Sequence, residues 1–238
     1  ENVSDATEFS YVRISGAGSY WWDNNALADG CGMRLDSSNP ILTHVTITNN
    51  TAIFGGGIRI SNSNPTLNHV TLSHNTADYG GGMRLWQSHP TLSNVTISDN
   101  TAKYGGGIQV NSGDSGLALI ENSAISNNSA QVGGGLYFNN ANIKIINTVI
   151  NDNLGITTTP ENPANGAGAY IFEDYDNSEP EHEIIFENVQ IINNISDAST
   201  GGVRLNASSP IFKNVLIAGN MDQGYGGGLR LLDASHPI

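Results

Sequence analysis

Apolar and polar positions alternate in short runs along this chain. Met83 and Leu85 are separated by Arg84 and followed by Trp86; Val95 and Ile97 are separated by Thr96 and followed by Ser98. A period of two sends successive side chains to opposite faces of an extended backbone, so each run predicts a strand with one face buried. Valine, isoleucine and threonine dominate these runs, and they pack well on a pleated surface. The runs end at glycine, asparagine, proline or serine, the residues that turns recruit. Outside a few inserts, no segment keeps a helical period.

The runs recur as one unit. A unit reads from Tyr79 through Ala102, and its neighbours begin at Phe54 and Tyr104, 25 residues to either side. One asparagine per unit measures the spacing: Asn25, Asn50, Asn75, Asn100, Asn128, Asn153, Asn194 and Asn220, with gaps of 25, 25, 25, 28, 25, 41 and 26. Extra length is assigned to inserts at 16–22, 111–116, 155–163 and 173–183. Strands that return in the same order at a fixed period stack parallel and in register. The predicted fold is all-β: a parallel β-helix, or β-solenoid, forming a single domain over residues 1–238. It has about eight turns, roughly three short strands per turn and about 4.8 Å between turns. A meander of hairpins would not repeat a whole unit in fixed register.

Register turns repeated residues into files. The asparagines are expected to form an inward ladder, each side-chain amide bonding the one above and below. A second corner file reads His44, His69, Asn94, Asn122, Asn147, Asn188 and Asn214. Two readings stay open for its histidines: a hydrogen-bonded corner ladder, or a metal pair. The glycine triplets at 55–57, 80–82, 105–107, 133–135 and 226–228 predict a tight bend that needs positive φ and no Cβ. Pro40, Pro65, Pro90, Pro210 and Pro237 mark another corner.

Composition narrows the partners. Nine basic against 22 acidic residues give a net charge of −13. That field repels nucleic acid and anionic lipid, so neither is an expected partner. No apolar run approaches the roughly 20 residues of a membrane-spanning helix, and direct membrane insertion is not expected. The single cysteine, Cys31, excludes an internal disulfide framework and replaces a corner glycine.

Units of the form Ile97-x-x-Asn100, then Thr101-Ala102, then Gly105-Gly106-Gly107-Ile108 resemble the repeats of the polymorphic outer membrane protein family. That family pairs Phe-x-x-Asn with Gly-Gly-Ala-Ile in each unit. Here isoleucine or leucine stands for the phenylalanine, as in Ile47-x-x-Asn50, Leu72-x-x-Asn75 and Ile125-x-x-Asn128, and the third glycine stands for the alanine. The units are also similar to the wider group of right-handed parallel β-helix repeats that includes pectate-lyase-like proteins. The resemblance implies an extracellular or cell-surface location. Its fold hosts adhesins, lyases, hydrolases and fibres alike, so it leaves the task open.

Chemistry is sought on the outward files. The first outward residue after each glycine corner reads Arg34, Arg59, Arg84, Gln109, Tyr137, Tyr170, Arg204 and Arg230, which holds five of the nine basic residues. Stacked like charges repel by about 1 kcal/mol per neighbour in water. Guanidinium stacking, nearby carboxylates or a bound anion must offset this. The adjacent file carries Asp36, Ser61, Trp86, Asn111, Asn139, Phe172, Asn206 and Leu232. Arginine, tyrosine, tryptophan and amides on one face suit a sugar, through ring stacking and charge-assisted hydrogen bonds. The alternative is a solvated sheet whose arginines pair with acidic residues and cover apolar surface with their stems. Tyr20, Trp21 and Trp22 in the first insert extend that face or fold over the rod. Glu173, Asp174 and Asp176, in an insert that continues through Glu179 and Glu181, are the calcium candidates, although their spacing lacks the glycine of an EF-hand. No other cofactor is expected. Thr46, Thr48, Thr71, Ser73, Thr96 and Ser98 form a short hydroxyl array that lapses at Ala124.

Asp36, Asp78 and Asp99 fall on different files, no Ser-His-Asp order or zinc spacing appears, and no catalytic residue is named. The leading expectation is a non-catalytic surface rod for structure, adhesion or assembly, its partner a polysaccharide or another surface protein. The first alternative binds or cleaves an acidic polysaccharide along the Arg/Tyr face, as a lyase or glycoside hydrolase. The second is a filament of copies stacked end to end. Both ends read as cut within a unit, which predicts flanking turns of a longer chain or a second copy against them.

Overall fold

The structure is a computed structural model that describes residues 7–18, 32–111, 116–158, 164–173, 182–233, 235 and 237. One central turn shows how the repeat folds. Ile58–Ser61 forms the first strand, Thr66–Asn68 the second, Thr71–Ser73 the third and Thr76–Tyr79 the fourth. Equivalent strands of successive turns pair in parallel, giving three sheets of eight strands and a fourth of five. Met83 pairs with Ile58 below and Ile108 above, so the 25-residue period is the register itself. The described chain is a parallel β-solenoid without helix.

The expected three strands per turn become four in the middle of the rod. Thr76 and Asp78 are exposed while Ala77 is buried, so the segment after the asparagine is itself an alternating strand. The fourth sheet shortens to two-residue strands at Leu154–Gly155 and Ile195–Ser196. There the Thr-Ala pair of earlier units is lost.

In the regular turns two side chains point inward from the first sheet and one each from the second and third, while Ala118, Ile143 and Ile184 add a further one from the second sheet in later turns. In one regular turn these are Ile58, Ile60, Leu67 and Leu72, all with no exposed surface. Full burial of each contributes about 1.5–3 kcal/mol, and stacking joins them into one continuous core.

The asparagine ladder runs through the described residues from Asn50 to Asn220. Asn75 Nδ2 donates to Asn100 Oδ1 at 3.1 Å and to Ile47 O at 3.0 Å, and Asn75 N donates to Asn100 Oδ1 at 2.9 Å. The same pattern repeats at Asn100, Asn128, Asn153 and Asn194. Both amide hydrogens are used, and each Oδ1 accepts twice. The first turn departs from expectation. Ala17, not an asparagine, sits under Asn50 and donates its N–H to Asn50 Oδ1 at 2.9 Å. Gly18 then pairs with Thr51 and Met33 with Ile58, so the extra length of this turn falls after Gly18 rather than from residue 16. Asn25, Tyr20, Trp21, Trp22 and Cys31 lie outside the described residues.

The glycine corners serve two different ends. Only the first glycine of a regular triplet is left-handed, as at Gly105 with φ of 67°. The second and third are required by the stack: a Cβ on Gly106 would lie 2.3 Å from Gly134 O in the next turn.

Two further ladders were not read from the sequence. Ser38 N donates to Ser63 Oγ, and Ser63 N to Ser88 Oγ, each serine hydroxyl in turn donating to a carbonyl two residues back where it is buried. Ser123 and Thr148 repeat this at the corner before the third sheet. The file from His44 to Asn214 is an exposed left-handed corner. His44 and His69 stack face to face at 4.8 Å and 8°, with Tyr11 stacked below them in the same geometry. Here successive rungs of the file meet through ring faces. Further up, Asn147, Asn188 and Asn214 are linked by side-chain amides.

Candidate functional site: the corner between the fourth and first sheets

The outward files are in register as their spacing requires. Arg34, Arg59, Arg84, Gln109, Tyr137, Tyr170, Arg204 and Arg230 are paired rung to rung along the first sheet. Trp86 stands on the neighbouring file between Ser61 and Asn111.

The residues just before the glycine triplets complete the site. Phe54, Tyr79 and Tyr104 form their own file at the end of the fourth sheet. The glycine corner folds back so that its two flanks face each other on the outside of the rod. The Arg84 guanidinium lies 4.1 Å from the Phe54 ring centre, 5.5 Å from Tyr79 and 5.3 Å from Trp86. Aromatics from the fourth sheet and the Arg/Tyr file from the first therefore meet across the outside of this corner. The rings join into one column: Phe54 to Tyr79 at 5.3 Å, Tyr79 to Tyr104 at 5.2 Å, Tyr104 to Tyr137 at 5.6 Å and Tyr137 to Tyr170 at 5.7 Å. It begins on the fourth sheet and crosses to the first. The sequence carries the signal, an aromatic before each of three successive glycine triplets, but by period alone it marks only where a unit begins.

The centre of the face is more buried than its ends. Arg84 is 8% exposed and Gln109 only 2%. Charge along the file is offset in different ways. Arg34 pairs with exposed Asp36 at 3.0 Å. Arg59 Nε donates to Ser61 Oγ and its guanidinium lies 5.4 Å from the Phe54 ring. Arg204 donates to Asn165 Oδ1 and lies over Tyr170; Arg230 donates to Ser199 Oγ and lies over Tyr225. Arginine over a ring face gains about 0.5–2 kcal/mol, comparable to the repulsion it must offset.

Three amide oxygens in the two outward files, on Gln109, Asn139 and Asn206, are buried and accept no hydrogen bond. Burial, reinforced by the neighbouring Tyr170, Tyr104 and Tyr79, pushes the Tyr137 phenol up to about 12. It stays a neutral donor across the physiological range.

Two short chain segments shape the C-terminal lip. Asp197 accepts hydrogen bonds from Thr157 N and Thr157 Oγ1, and that hydroxyl accepts from Ala164 N, which pins the base of the 155–163 insert. Asp222 accepts from the N–H groups of Thr200, Gly224, Tyr225 and Gly226, and so holds the turn that presents Tyr225. Burial works against that carboxylate, but the four N–H donors outweigh it and hold its pKa below the usual range. A depressed folded pKa means the stabilisation is full above the unfolded value and is lost as pH falls through the folded one. Asp222→Ala is expected to raise amide exchange at Tyr225 and Gly226 at neutral pH. In the parent protein the same amides are expected to lose protection only in acid.

Glu173 donates its backbone N–H to Asn206 O at 3.2 Å, while Asp174, Asp176, Glu179 and Glu181 lie outside the described residues. Among the described residues no three His, Cys, Asp or Glu side chains gather. The hydroxyl array on the third sheet is in register, with Ser73 Oγ donating to Thr48 Oγ1 at 3.2 Å.

Residues 94–111 match the family model for the Chlamydia polymorphic membrane protein repeat. The match spans Asn94 to Asn111, and so covers the ladder residue Asn100, Tyr104, one glycine triplet and Gln109. Comparison with curated proteins and with solved structures returns no match.

Proposed function

We propose that this β-solenoid, which carries a repeat of the polymorphic membrane protein type, is a cell-surface rod that adheres by holding an extended carbohydrate chain in the groove between its fourth and first sheets. The five-ring column from Phe54 to Tyr170 carries this reading. Its rings recur at 5.2–5.7 Å along the rod, so a chain of sugar rings laid parallel to the axis meets an aromatic edge or face at each rung. Three buried amide oxygens without donors, on Gln109, Asn139 and Asn206, suit a ligand rich in hydroxyl groups. Binding rather than cleavage fits the lining. Along the two outward files and the aromatic file, Asp36 alone is acidic, and it is engaged by Arg34. Glycoside hydrolysis calls for two carboxyl groups across one bond.

The test is affinity electrophoresis of the protein through gels containing a panel of neutral and acidic polysaccharides. At least one is expected to retard it, and Tyr137→Ala to lose at least about tenfold in affinity while keeping its thermal midpoint within a few degrees. Migration unaffected by every polysaccharide, or a Tyr137→Ala variant that binds as the parent does, rejects the groove as the working surface.

A further inference from the structure

We propose that the C-terminal end of the groove is an oxyanion site built on Arg204 and Arg230, so that the chain it selects is an acidic glycan bearing carboxylate or sulfate groups. The inference rests on the groove reading above and adds what the groove discriminates.

Arg204 and Arg230 are paired residues on adjacent strands, which puts two guanidiniums on neighbouring rungs about 4.8 Å apart. Their hydrogen-bond acceptors are neutral, Asn165 and Ser199, and their remaining neighbours are ring faces, Tyr170 at 5.3 Å and Tyr225 at 4.4 Å. Among the described residues neither arginine makes an ion pair. Arg204 Nε is buried and donates to nothing. Burial lowers the Arg204 pKa, and the charge of Arg230 adds to that, while the Tyr170 phenol and Asp233 act the other way without an ion pair. Two half-buried cations held side by side by neutral groups are an unbalanced arrangement in a chain of net charge −13. Arg34, at the other end of the file, shows the balanced alternative, since Asp36 already neutralises it.

The fork of a guanidinium fits the paired oxygens of a carboxylate or sulfate, and a charge-assisted bond is about twice as strong as a neutral one. An anion bridging both arginines would remove their mutual repulsion as it binds. The aromatic backing limits the orientation from both flanks: Arg204 lies over Tyr170 of its own file, and Arg230 over Tyr225, which precedes the last glycine triplet. The sugar rings would lie over Tyr137 and Tyr170, with an acidic substituent reaching Arg204 and Arg230 at the end of that run. Arg84 lies four rungs away, about 19 Å, so an oligosaccharide spanning that length meets cations at both ends of the tyrosine stretch.

The experiment compares polygalacturonate, dextran sulfate and neutral dextran as probes, by titration calorimetry on the parent chain and on Arg204→Gln, Arg230→Gln, Arg204→Lys and Tyr137→Ala. At least one acidic probe is expected to bind about tenfold or more tightly than neutral dextran, with affinity falling as salt rises. Each glutamine variant is expected to lose about tenfold toward the acidic probe and to keep its affinity for the neutral one and its thermal midpoint. Arg204→Lys should recover only part of the loss, because charge is kept and the fork is not. Preference between polygalacturonate and dextran sulfate tells carboxylate from sulfate. Equal affinity for acidic and neutral probes, or acidic binding untouched by both glutamine variants, overturns the oxyanion site. If Tyr137→Ala weakens binding while the arginine variants do not, the groove stands and the oxyanion site falls. If none of the three probes binds, the oxyanion site falls with them.

Discussion

Asn100→Leu is expected to cost about 3–6 kcal/mol, enough to unfold a domain of ordinary stability. Asn100 is fully buried, and leucine keeps its branched heavy-atom skeleton but none of its polar atoms, so lost hydrogen bonds add to the strain of two bulkier methyl groups. Its Oδ1 is the acceptor for both Asn75 N and Asn75 Nδ2, and its Nδ2 donates to Leu72 O and Asn128 Oδ1. Removing it strands the Asn75 N–H inside the rod and takes one bond each from Leu72 O and Asn128 Oδ1. Each buried group left unsatisfied costs about 1–3 kcal/mol. Water cannot replace the lost bonds, because the rungs above and below close the stack. Urea unfolding checks this through a lowered midpoint. A midpoint within error of the parent would mean that the ladder contributes nothing, and the account of the interior would fail.

Gly106→Ala is the second large effect, expected at about 2–4 kcal/mol. The new Cβ would sit 2.3 Å from Gly134 O and 2.6 Å from Ser129 O. Both are backbone atoms of the next turn, and Gly134 O accepts a hydrogen bond from Gly107 N at 3.1 Å. Neither can swing away as a side chain would, so the turns must separate locally. Gly18→Ala is the control, since no atom lies within 4 Å of its Cβ position and its φ is ordinary. That change is expected to stay within about 0.5 kcal/mol of the parent. Hydrogen exchange along the rod should place the Gly106→Ala loss at the turns on either side, because each turn contacts only its neighbours.

Much of the fold was legible before any coordinates. Ile58, Met83 and Ile108 occupy one rank of the repeat, and they pair in the structure. The ladder was legible for the same reason, except in the first turn. There counting back 25 residues reaches Asn25, while pairing places Ala17 at the rung. An insert shifts sequence distance without shifting register, and only hydrogen bonds show on which side of it the rank lies. The fourth strand was missed because Thr-Ala-Asp-Tyr is too short and too polar to announce an alternating run.

The candidate site divides in the same way. The Arg/Tyr file was predicted residue by residue, since a file needs only the period. Phe54, Tyr79, Tyr104, Tyr225, Asn165 and Ser199 were not assigned to it. Phe54 and Arg84 are 30 positions apart and belong to different turns, yet they meet at 4.1 Å.

By itself the chain determined that equivalent side chains lie one above another, because a fixed period of strands admits one register and every buried amide then finds its copy. Only the tertiary structure decided that two of those files face each other. The angle at which sheets meet is set by left-handed glycines and by backbone contacts between turns. A one-dimensional repeat carries no measure of that angle.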